Sequence, residues 1–119
     1  VSVGEGWTRL YEDTLGELEL GILLETVGAS RASAFGWGGD RWVLLDDGDG
    51  HRSLAWFGVW DTSAQREKFV RALEPRLSAF PHQASLTVLE VDGLPGTRLL
   101  VGDVPDVTAS VEDWTQNDR

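Results

Sequence analysis

Few residues in this 119-residue chain have types and spacing that could do chemistry. Asp46, Asp47 and Asp49, interleaved with Gly48 and Gly50, supply carboxylate oxygens in the manner of a loop for a hard cation. Such a loop needs alternating oxygen ligands, a glycine at its sixth place and a glutamate at its twelfth. Counted from Asp47, those places hold Arg52 and Gly58, so the segment reads as turn chemistry. His51 and His82 are the only imidazoles, and they lack the paired spacing of a transition-metal site. The run Gly36-Trp37-Gly38-Gly39-Asp40 lacks the lysine of a phosphate loop and precedes a strand rather than a helix. No Gly-x-Ser-x-Gly elbow occurs. Glu17, Glu19 and Glu25 read as the solvated side of a helix. The sequence therefore predicts no catalytic residue, no cofactor and no metal ligand.

One constellation remains. Asp40 and Arg41 stand between Trp37 and Trp42, and the hairpin partner Trp56 comes close to them in the predicted pairing. These five residues describe a tryptophan-lined pocket for a small ligand. They equally describe a structural knot in which Asp40 and Arg41 tie a loop to the helix caps, because a buried charge needs a partner.

The elements that must position these residues follow from periodicity. Thr14-Leu15-Gly16-Glu17 matches a capping box, and Leu15, Leu18, Ile22, Leu23, Leu24 and Val27 recur at helical spacing, so a helix is predicted over 14–27. Residues 29–40 read as a glycine-rich loop, with room for a helical turn from Ala29 to Phe35. Strands are predicted over 41–46 and 53–60, joined by the aspartate-glycine turn. Asp61-Thr62-Ser63, with Gln65, opens a second helix that buries Phe69, Val70 and Leu73 and ends or kinks at Pro75. Strands over 85–91 and 98–101 follow, with Leu94-Pro95-Gly96-Thr97 as their turn. Val107, Val111 and Trp114 are spaced for a short C-terminal helix. The expected architecture is α+β: helix, hairpin, helix, hairpin, giving a four-stranded antiparallel sheet with two helices on one face. It forms a single domain over 1–119, with an N-terminal arm or short strand (1–13) and a C-terminal tail (103–119).

The first hairpin is apolar on both sides. Trp42 and Leu44 alternate with Val43 and Leu45, and Leu54, Trp56 and Trp60 alternate with Ala55, Phe57 and Val59. Two helices cover one face only. The second face, around Val43, Leu45, Phe57 and Val59, needs the chain's own ends, another domain or a second copy, since large exposed apolar patches are rare on monomers.

Composition narrows the partners. Twenty acidic residues against ten basic give a net charge of −10, which repels nucleic acid and anionic lipid. Cysteine is absent, so there is no disulfide framework. No apolar run approaches the ~20 residues of a bilayer span. Methionine is absent even at position 1, so the expectation is that Val1 is a boundary or processing site.

Thr14-Leu15-Gly16-Glu17, then Gly36-Trp37-Gly38-Gly39-Asp40-Arg41 before an apolar strand, then Trp60-Asp61-Thr62 opening a helix with Phe69, resembles the C-terminal region of bacterial and haloarchaeal surface proteins. In those proteins an upstream helical module carries a His-Glu-x-x-His zinc-peptidase signature. The resemblance covers residues 5–75. This chain contains no His-Glu-x-x-His, so no catalytic residue carries over. The resemblance implies a non-catalytic module of a secreted, peptidase-like protein at the cell surface or outside the cell. The expected function is an accessory interaction module packing on another domain of the same precursor. The alternatives are a small-ligand binder or enzyme built on the tryptophan pocket, and a homodimerisation module.

Overall fold

In the computed structural model, residues 2–3, 6–102 and 107–108 are described, with side chains described over 6–102. The main body is a five-stranded antiparallel sheet. Its strands are β2 (Thr8–Asp13), β3 (Trp37–Asp46), β4 (Arg52–Trp60), β5 (Ala84–Val91) and β6 (Leu94–Val101), in the order β2-β3-β4-β6-β5. A separate short pair joins β1 (Ser2–Val3) to β7 (Val107–Thr108). Helix α1 (Glu17–Thr26) links β2 to β3 through a 3₁₀ turn at Arg31–Ala34. Helix α2 (Ser63–Leu73) and a second 3₁₀ segment (Glu74–Ala79) link β4 to β5.

The four-stranded sheet expected from the sequence is corrected to five, because Thr8–Asp13 pairs with β3 from Thr8↔Asp46 to Asp13↔Trp42. Those six residues are mostly exposed, so they carry too little apolar alternation to announce a strand. Residues 37–40 are also strand rather than loop. Gly39 pairs with Val59 and Asp40 with Gly58, and the register shifts between Trp37 and Gly39. The predicted turn at Leu94–Thr97 is likewise corrected. Asp92 (φ 52°) and Gly93 (φ 80°) make the turn, as the type I′ preference for Asp-Gly demands, and Pro95 lies within β6 beyond the β4 ladder, which begins at Gly96. Val107 is in a strand; Val111 and Trp114 of the expected C-terminal helix lie outside the described residues.

Both helices feed one cluster. Leu20 and Leu24 of α1, Phe69 and Leu73 of α2, and Trp56, Trp60, Leu99 and Val101 of the sheet are buried together with Ala34. The Phe69 ring sits 4.6 Å from Trp60 and 5.5 Å from Trp56, tilted to both. Within α1 the buried stripe runs through Leu20 and Leu24, with Gly21 against the Arg31 stem. Leu18 and Ile22, part of the helical spacing, face water at 67% and 48% exposure. Thr62 caps α2 as expected, its hydroxyl accepting from the Gln65 amide.

The opposite face holds a second cluster of Val43, Leu45, Ala55, Phe57, Val59 and Val91, with Trp7 packed against it. Val43, Leu45 and Phe57 are 0% exposed and Val59 4% within a single chain. The four residues marked by the sequence as an open interface are therefore interior.

Candidate functional site

The expected tryptophan pocket is a filled polar knot. Asp40 is 1% exposed. Its carboxylate accepts four hydrogen bonds: from the Leu15 amide (2.8 Å), the Gly16 amide (2.8 Å), the Trp37 indole (3.0 Å) and the Trp56 indole (2.9 Å). Leu15 and Gly16 lead into α1, so a carboxylate from β3 serves the donors and partial positive charge of that helix start. No side chain caps α1 locally, which corrects the capping box assigned to Thr14. Gly58, the cross-strand partner of Asp40, makes the knot buildable. A Cβ there would come within 2.3 Å of the Trp56 ring, which crosses the glycine to reach Asp40.

Arg41 points to the other face and is 4% exposed. Its Nε donates to Glu12 at 2.9 Å and its Nη1 to the Thr14 hydroxyl at 3.2 Å. Burial pushes the Glu12 carboxyl up, but the Arg41 hydrogen bond, with further positive charge around it, holds it below the usual carboxylate range. Trp42, partly buried, stacks on Tyr11 of β2 at 5.3 Å. Of the five residues grouped by the sequence, Asp40, Trp37 and Trp56 meet in one hydrogen-bonded knot, while Arg41 turns to Glu12 and Thr14 and Trp42 to Tyr11. Their polar atoms are spent on one another and on β2 and α1, and Asp40, Arg41 and Trp56 offer a ligand almost no surface.

The aspartate turn is closed on itself. Asp46 accepts from the Gly48 amide and Asp47 from the amides of Asp49 and His51. His51 Nδ1 lies 2.8 Å from Asp47. The Asp49 amide, first, and the His51 contacts lower the Asp47 carboxyl, and Asp47 in turn raises the exposed imidazole. Among the described residues, no group of three or more histidines and carboxylates is placed to hold a metal ion. His51 and His82 do meet in one cleft, with Trp7, Arg52 and Ser53.

What the sequence reading missed lies at the far edge of the sheet. Between α2 and β5 runs a groove of about 410 Å³, lined by Arg66, Glu67, Val70, Arg71 and Val88. β5 is the last strand of the sheet, and no described strand pairs with its outer side. Its pairing with β6 is unbroken from Ala84↔Val101 to Val91↔Leu94, and Val88 is 51% exposed. The opposite edge, β2, is interrupted by a register shift at Leu10 and carries Arg9, Glu12 and Asp13, the devices that blunt an edge. β5 has no bulge, lysine or proline, and Glu90 is its one charge. Arg66 donates through Nη1 to the Leu89 carbonyl at 3.1 Å, while its buried Nε finds no acceptor among the described residues. Arg71 meets Glu67 only at 4.0 Å, both largely exposed. The signal available beforehand was the positive run of α2 inside an acidic chain.

The chain belongs to the family described as a domain of unknown function, DUF8575, whose model matches residues 6–109. No curated protein and no solved structure matches it. Among the described residues, no helix is long and apolar enough to cross a membrane.

Proposed function

We propose that this domain is a non-enzymatic interaction module that docks a partner along the α2–β5 side. The observation that carries this reading is the unblunted β5 edge beside a groove with an apolar floor at Val70 and Val88 and two arginines on its walls. The buried polar groups support it from the other direction, since Asp40 and Arg41 are committed to internal partners. Following the resemblance in residues 5–75, the partner is another domain of a longer secreted, peptidase-like protein, docked at this side and not at the interior Phe57 face.

A displayed library of random linear peptides, panned against the chain, tests the docking side. Enriched binders should lose most of their affinity for Val88→Asp and keep it for Leu18→Asp, which alters an exposed apolar residue on α1. Binders indifferent to Val88→Asp would overturn the assignment.

A further inference from the structure

We infer, resting on the docking side just assigned, that its occupant is an extended peptide segment of another protein or domain. The segment adds as a sixth strand to β5 and places an acidic side chain between Arg66 and Arg71. Three observations converge on this chemistry. The first is the backbone: a regular edge of eight residues, with no described strand on its outer side, offers a row of main-chain donors and acceptors there, and an extended segment is the ligand that uses them.

The second is the position of the groove. Side chains alternate between faces of a sheet. Ala84 and Leu86 pack into the helix-side cluster, so Val88, two residues on, shares their face. The residue of an added strand directly opposite Val88 points to the same side, into the space beside α2. Its neighbours two places away do the same, and the intervening ones face Thr87 and Leu89. A helix beside an open strand thus supplies side-chain selectivity where the edge supplies only main-chain bonds.

The third is charge. The segment from Ser63 to Ala79 carries Arg66, Lys68, Arg71 and Arg76 against Glu67 and Glu74. Four basic against two acidic residues give a local excess of +2 in a chain of −10. Arg66 has a buried Nε–H with no acceptor among the described residues, and buried donors in folded proteins are nearly always satisfied. A carboxylate on the added strand faces the exposed Arg71 guanidinium and the Arg66 side chain that lines the same groove. A second copy of this chain is disfavoured as occupant, because two bodies of charge −10 repel over the separation of their surfaces.

The test uses a dye-labelled nine-residue peptide of alternating threonine and valine with glutamate at its centre. It is compared with a version carrying lysine at that place and with one N-methylated at alternate amides. Fluorescence anisotropy with the whole chain should show the glutamate peptide binding about tenfold more tightly than the lysine peptide. The preference should reverse in Arg71→Glu, and N-methylation should abolish binding. Bound peptide should slow hydrogen exchange at amides of β5. Equal binding of the N-methylated peptide would overturn strand addition while leaving the docking side in place. Equal binding of the glutamate and lysine peptides would overturn the acidic assignment. Light scattering of the chain alone that shows a dimer dissociated by the peptide would make a second copy the occupant and overturn the peptide partner.

Discussion

Asp40 gathers four donors around one buried carboxylate, and two of those donors belong to the backbone ahead of α1. Asp40→Asn keeps one oxygen and turns an amide N–H₂ towards groups that are themselves donors. Hydrogen bonds to a charged group contribute roughly 1.5–3 kcal/mol each, and buried donors left without acceptors cost about as much. Asp40→Asn is therefore expected to lower stability by about 2–5 kcal/mol in urea unfolding; a loss below about 0.5 kcal/mol would show that the knot holds nothing. Glu12 gives a prediction in pH. Its carboxyl is held below the ordinary value of 4.5 in the folded protein. Its contribution is thus complete above about pH 4.5 and is lost as pH falls through the lower, folded value. The stability gap between the wild-type protein and Glu12→Gln should be widest near neutrality and close below pH 4.5, as followed by denaturation at a series of pH values. At this scale the sequence was informative about identity and silent about partners. An aspartate and an arginine beside tryptophans must be paired if buried, but Leu15 and Glu12, 25 and 29 positions away, become visible only once β2 and α1 have been placed.

The hairpin of β3 and β4 was legible because its aromatic and β-branched runs flank a turn rich in aspartate and glycine, and the cap at Thr62 because threonine and Gln65 stand at the required spacing. β2 was not legible. An edge strand exposed on nearly every residue has no period for an observer to find, and it is held by backbone bonds to β3 and by Arg41. The Asp92-Gly93 turn was overlooked in favour of Pro95-Gly96, although both pairs are turn formers; only the sheet register separates them. Gly58 belongs to this scale as well, as a strand glycine whose missing side chain is the path of the Trp56 ring. Gly58→Ala should push that ring off Asp40 and cost about 1–3 kcal/mol, with the Trp56 indole N–H resonance shifting towards its free position. An unchanged indole signal would contradict the proposed path.

At the scale of the molecule, the centre of the sheet is buried on both faces and its two edges are unlike. One edge is broken by a register shift and charged; the other is straight and set beside the basic helix of an acidic protein. The strand order has a consequence in time. β6 lies between β4 and β5, yet it is synthesised after both. Until residues 94–101 arrive, β4 is held on its β3 side alone and β5 has no strand to pair with, and Phe57 and Trp56 have no Arg98 or Leu99 opposite. The nascent chain can close its first hairpin early, but the sheet is completed by an insertion at its middle, the slow, non-local kind of closure. A ribosome that stops before Leu94 releases a chain with an apolar gap where its centre should be, and that fragment is the one a chaperone or protease would meet.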